Sequence, residues 1–131
     1  MAKPVAKARA TSRASGKTVP SVFVYVTAPS ATAAEKIGAT VVEEGLAACA
    51  NVIGPMRSVF RWRGRIERAR EAVLILKTRK ARVAALTRRI KALHSYTVPC
   101  VVAIPIVGGN PDFLNWVSAE ANGRRLGVKR R

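Results

Sequence analysis

Apolar positions along the chain change period several times, and each change marks an element. Residues 21–27, Ser-Val-Phe-Val-Tyr-Val-Thr, are apolar at both parities, the pattern of a strand central in its sheet. Pro29 ends it, and Ser30 is placed to cap a helix running through Glu44, with Ala34, Ile37 and Val41 at helical spacing. Gly45 fits the position that closes such a helix. From Ala47 to Thr78 the spacing predicts one long β-hairpin. Its first arm covers 47–62, its turn is Arg63-Gly64-Arg65, and its second arm covers 66–78 and ends in Ala72-Val73-Leu74-Ile75-Leu76. A second helix is expected over 80–94, where Val83, Leu86, Ile90 and Leu93 share one side. Val98-Pro99 breaks it. Residues 100–107 read as a fourth strand, with Pro105 marking an edge or a bulge. Asn110 and Pro111 open a last helix that carries Phe113, Leu114, Val117 and Ala121 and stops at Gly123.

In order, the elements run β-α-β-β-α-β-α. The first six match the split plan of a ferredoxin-like βαββαβ sandwich, an α+β fold, and the last helix is an addition able to cover a sheet end or a neighbour. The hairpin is too long for such a body. About a dozen strand residues at roughly 3.3 Å each reach about 40 Å. A domain of about 100 residues has a radius of gyration near 13 Å and measures about 30–35 Å across. The tip must overhang, and it carries Val59, Phe60, Trp62 and Ile66. Exposed apolar strand edges invite aggregation, and pairing with a second copy removes that hazard, so the stretch predicts an obligate homo-oligomer. The alternative is that Gly54-Pro55 ends the first arm and leaves two short strands joined by a loop.

Charge divides the 131-residue chain into three parts. Against 24 Lys and Arg stand 7 Asp and Glu, a net +17. Ten of the basic residues lie in 1–20 and 124–131, which contain no acid, so the body between them is only +7. Residues 1–20 show no periodic apolar face and read as a disordered basic extension, 21–123 as the folded domain, and 124–131 as a basic tail. The tails suit weak electrostatic contact with nucleic acid, or simple solubility. No window approaches the roughly 20 apolar residues of a membrane helix, so no membrane insertion is expected. The first 20 residues lack the apolar centre of a secretory signal; they share Arg, Ser and the absence of acids with transit peptides, but not the Leu or aromatics of an amphipathic address. Cys49 and Cys100 both sit in apolar stretches, which suits buried thiols in a reducing compartment. The expected location is cytoplasmic, with organelle targeting the lesser alternative.

Several blocks carry a resemblance. Glu43-Glu44-Gly45-Leu46-Ala47-Ala48-Cys49-Ala50-Asn51 is similar to the E-x-L-A-A-C-x-N stretch of the CutA divalent-cation tolerance proteins. Residues 60–66 (Phe-Arg-Trp-Arg-Gly-Arg-Ile), 76–78 (Leu-Lys-Thr), 94–99 (His-Ser-Tyr-Thr-Val-Pro) and 109–116 (Gly-Asn-Pro-Asp-Phe-Leu-Asn-Trp) resemble further blocks of that family, in its order. The resemblance implies a ferredoxin-like subunit in a tight homotrimer similar to the PII signalling proteins, with long hairpins pairing between subunits. It also implies a role in tolerance of copper and other divalent metals. The chain departs from the family where Cys100 follows Pro99 in place of a common Glu, and where Val26 stands at a position that some members fill with Cys.

Apart from Met1 and Met56, the soft or borderline metal donors are Cys49, Cys100 and His94, suited to Cu(I) or zinc. None belongs to a CxxC or HxxxH pair. On a ferredoxin-like sheet the two cysteines fall at opposite edges, about 14 Å apart by three strand spacings, beyond the roughly 7 Å span of a disulfide. A shared site therefore needs more than one subunit; two core thiols and a helix-end histidine are the alternative. His94, Tyr96 and Lys77 are candidates to line a cleft between subunits, and Phe60, Trp62 and Trp116 to pack a trimer interface. One histidine and no Ser-His-Asp set leave no recognisable acid–base machinery, so no enzyme is expected. The competing function is a basic nucleic-acid-associated protein, since RRM domains share the βαββαβ order. Such domains stack bases on aromatics of their first and third strands. Phe23 and Tyr25 lie on the first, but the second hairpin arm offers none.

Overall fold

In the computed structural model, which describes residues 19–123, the element order is β1 (Ser21–Ala28), α1 (Ala31–Glu43), β2 (Cys49–Trp62), β3 (Arg65–Arg79), α2 (Val83–Leu93), β4 (Val101–Pro105) and α3 (Pro111–Glu120). The four strands form one antiparallel sheet in the order β2-β3-β1-β4. This is the ferredoxin-like α+β plan with one added helix, and β1 is central as its composition requires. The basic segments fall almost wholly outside the described residues.

Val22, Val24, Val26 and Ala28 point from β1 toward the helices and are buried with Leu74 and Leu76 of β3, Ala34, Ile37 and Val41 of α1, and Leu86 and Ile90 of α2. Gly38 lets α1 approach the sheet: a Cβ there would stand 2.9 Å from the Ala50 Cβ and 3.1 Å from the Leu74 Cδ1. Ser30 caps α1 through its Oγ, which accepts the Ala33 N–H at 3.1 Å, and Gly45 leaves the helix at φ +72°. The odd-numbered β1 residues Phe23, Tyr25 and Thr27 face the other way and are only half-buried. The second apolar parity of β1 is thus left partly uncovered within one chain. α3 covers one end of that face, where Val117 and Ala121 bury against Ala48. Arg82 holds α3 in place, donating from Nε to the Ala121 carbonyl and from Nη2 to that of Asn122.

Boundaries differ from the sequence reading at three places. The α2 segment starts with a 3-10 turn over Lys80–Arg82 that has no side-chain cap, so the regular helix begins only at Val83. His94 is already extended rather than in the last turn. β4 is shorter than expected: it starts after Cys100, which follows Pro99, and its last residue is Pro105, still in register with Val22 but with no N–H to give the ladder.

The hairpin is continuous. Arg63 and Gly64 make a two-residue turn with φ of 53° and 80°, the left-handed pair that matches strand twist. Gly54-Pro55 does not end β2. Ile53 pairs with Val73 and Met56 with Glu71, so β2 spends one extra residue there as a bulge. Gly54 suits that close passage, since a Cβ would lie 3.0 Å from the Ala72 Cβ. β1 pairs with β3 only as far as Ala72. The ribbon beyond, from the Met56–Glu71 pair to the Trp62–Arg65 pair, has no third strand among the described residues. It reaches roughly 20 Å past the sheet, and it exposes Val59 (62%), Phe60 (42%), Trp62 (42%) and Ile66 (51%).

Candidate functional site

Several segments meet where β1 ends. His94, immediately after α2, is buried to 8% exposure. Its Nε2 lies 2.7 Å from the Thr27 carbonyl and its Nδ1 3.1 Å from the Tyr96 backbone nitrogen. A backbone amide can only donate, so Nδ1 accepts and Nε2 carries the proton given to Thr27. The Tyr96 ring packs beside the imidazole, centroids 4.6 Å apart, and its hydroxyl donates to Glu71 Oε2 at 2.7 Å. Glu71 is the β3 residue just beyond the last β1 pair. Across the hairpin it faces Met56, whose sulfur accepts the Tyr25 hydroxyl at 3.8 Å. Cys100 precedes β4 by one residue.

The electrostatics of this corner keep protons on. Burial, then the hydrogen bond to Glu71 and its negative charge, push the Tyr96 phenol up to about 12. Burial also raises the Cys100 thiol above its ordinary value, and the Glu71 charge adds to this, against a smaller opposing effect from Thr27. A thiol held in its neutral form is a weak nucleophile and gives up its proton to a metal reluctantly. Away from this corner, Arg89 on α2 grips Glu44 after α1 in a two-bonded fork, 2.8 Å on each arm, which raises the guanidinium further.

The candidates therefore fall into two groups. His94, Tyr96 and Cys100 come together. Lys77 and Cys49 are paired with each other in the β2–β3 register, and Lys77 pairs with Phe23, four β1 residues from Thr27. That places them about 13 Å along the strand from the His94 corner. The Lys77 ammonium is bound by the side-chain carbonyl of Asn51. Both cysteines are free thiols. Among the described residues no three His, Cys, Asp or Glu side chains are grouped to hold a metal ion. With both His94 nitrogens occupied, the donors among the described residues of one chain do not fit a metal by themselves.

Phe60 and Trp62 share the ribbon face that continues the open side of the sheet, alongside Met56 and opposite Glu67 and Arg65. Trp116 is half-buried against Ala48 and Val117, with its ring 5.6 Å from that of Phe113. The same open side carries Phe23, Tyr25, Ile75, Val102 and Ile104, the last two 49% and 40% exposed. Glu71 and Thr27 were not singled out from sequence. The only local signal is one acid standing just ahead of the apolar run 72–76.

Comparison with known proteins places this arrangement. The profile of the CutA1 divalent ion tolerance protein family matches residues 22–120. Over 95 residues the chain is 47% identical to the divalent-cation tolerance protein CutA of Archaeoglobus fulgidus, covering 72% of this chain and 92% of that protein. It is 44% identical over 103 residues to the chloroplastic protein CutA of Arabidopsis thaliana, covering 79% of this chain and 57% of that longer protein. The crystal structure of CutA1 from Oryza sativa superposes with a TM-score of 0.78 at 42% identity, covering 80% of this chain and 96% of the other. The CutA1 protein of Thermus thermophilus superposes with a TM-score of 0.76 at 39% identity, covering 78% of this chain and 99% of the other.

Proposed function

Since the chain belongs to the CutA1 divalent ion tolerance protein family, we propose that it is a non-enzymatic divalent-cation tolerance protein working as a homotrimer, with copper the first metal to test. The observation that carries the trimer is the ribbon beyond Ala72, whose strands have no third partner among the described residues while the face with Phe60 and Trp62 and the adjoining sheet present apolar side chains. Each ribbon pairs with a neighbouring subunit, in the manner of the PII proteins, and the aromatics Phe60, Trp62 and Trp116 pack the joints. Cytoplasmic placement is part of the same reading, supported by two free thiols suited to a reducing compartment. Among the described residues no helix is long and apolar enough to cross a membrane.

Metal contact in this reading draws on more than one subunit. Cys100 is the foremost donor, at a sheet edge that an incoming ribbon reaches. His94 ranks second, because metal must displace one of its two hydrogen bonds. Cys49 ranks last, beside Lys77; because one chain holds Tyr96 and Lys77 apart, a cleft at the subunit boundary combines Tyr96 of one subunit with Lys77 of its neighbour. Titration of the assembled protein with Cu(I) or zinc tests this. The expected result is a rise in melting temperature with metal concentration, a clear loss of affinity in Cys100→Ser, a smaller one in His94→Ala and little change in Cys49→Ser. Thiolate ligation releases a proton, so affinity should climb with pH and keep climbing beyond the ordinary thiol value of 9.0, because the Cys100 value is raised. Three variants that bind like the wild type would remove these residues as ligands.

A further inference from the structure

The overhanging ribbon has a second face with a different chemistry. Side chains directly opposite in the register share a face, as do residues two apart on one strand. Arg57 pairs with Arg70, Val59 with Arg68 and Arg61 with Ile66. These six therefore form one face, and all six are exposed. Along β3 this face continues the parity of Ala72, Leu74 and Leu76, which lie buried beneath the helices. It is the helix side of the sheet carried out past the last helix. Every carboxylate of the ribbon, Glu67 and Glu71, is on the opposite face with Phe60 and Trp62. If copies meet through the open side, as in the assembly proposed above, the arginine face stays in solvent.

Four guanidinium groups without a carboxylate on their face are costly to hold together. Arg57 and Arg70 stand directly opposite each other, a like-charge pair that destabilises a hairpin. The N-terminus of α1 adds to the field. It starts beside the end of β1, whose last residue, Ala28, pairs with Ala72, and its first turn holds no acid. The positive end of the helix dipole thus lies on the same side and at the same end of the sheet. All four charges are arginine, the side chain whose planar fork binds phosphate oxygens in pairs.

We propose that this arginine face binds the phosphate backbone of double-stranded nucleic acid. The arginine face lies against the outside of the duplex, where its four guanidinium groups reach backbone phosphates without the ribbon leaving its neighbours. Recognition is by charge, so it does not depend on base sequence. An anionic membrane fits less well, because the ribbon's aromatic residues face away from the arginines. The face uses no residue of the tails and none of the His94 corner, and its function does not depend on either.

The test is the salt dependence of binding by the full-length protein to two 20-base-pair DNA duplexes of unrelated sequence. The variant replaces Arg57, Arg68 and Arg70 by Ser, and a companion replaces the same three by Lys. Each lost phosphate contact lowers the slope of log affinity against log salt by about 0.9. The Ser variant should therefore lose about 2.7 from the slope and more than tenfold in affinity at low salt, equally for both duplexes. The Lys variant should keep most of the slope. Sedimentation and melting of the variants exclude a folding defect, and should the triple variant unfold, each single Arg→Ser change is read by its own loss of about 0.9. A wild-type slope in the Ser variant places binding in the tails and overturns the proposal. Capture by phosphatidylserine vesicles with no binding to either duplex overturns it as well.

Discussion

The phenol of Tyr96 ties the segment after α2 to the root of the hairpin, and its proton reports on that tie. Its folded value of about 12 lies above the ordinary 10.0, so the folded protein keeps a proton that the unfolded chain releases in between. The stability this contact contributes is complete below pH 10 and is lost as pH rises toward 12. In urea unfolding, the wild type should therefore lose stability more steeply than Tyr96→Phe between pH 10 and 12, while at pH 7 the variant should be weaker by about 1 kcal/mol. Equal slopes would contradict the hydrogen bond to Glu71. This corner was only half legible in sequence. His94, Tyr96 and Cys100 stand close together in the chain and could be chosen by residue type. Their partners Thr27 and Glu71 lie 67 and 25 residues away from His94 and Tyr96, and pairings of that range depend on strand register. Sequence reasoning could name a histidine near a helix end; it could not show that both ring nitrogens were already engaged by backbone.

Elements were more legible wherever period and capping residues agree. α1 has its Ser30 cap, an apolar stripe and a terminal glycine, and each serves as expected. α2 kept its stripe but not its start, because neither Arg79 nor Arg82 caps it. Pro55 argued for a strand end, yet a bulge absorbs it, since the loss of one pairing position costs less than giving up the long ribbon. Gly38 had no signal at all. In a helix interior, Ala is favoured over Gly by roughly 0.5–1 kcal/mol, but here the added methyl meets Ala50 and Leu74 at contacts too short to accept. Overpacking of this kind costs typically 1–3 kcal/mol. Gly38→Ala should therefore lower the urea midpoint of unfolding despite its helix propensity, and a raised midpoint would show that α1 does not press this closely on the sheet.

At the scale of the molecule, the hairpin length was the most informative feature of the sequence, because a ribbon longer than its domain must end somewhere other than its own core. The structure divides that ribbon into a face with Phe60 and Trp62 and a face with Arg57, Arg61, Arg68 and Arg70. Trp62→Ala should accordingly weaken assembly far more than Arg61→Ala, since a packed aromatic is lost in the first case and an exposed charge in the second. On the proposed reading, copies of the same chain cover the ribbon and the open sheet side. Sedimentation equilibrium of the full-length protein, diluted from about 100 to about 1 micromolar, tests it most directly. A single species of three times the 14.1 kDa chain mass is expected throughout the dilution; a 14.1 kDa monomer at micromolar concentration would mean that the ribbon is not an assembly surface.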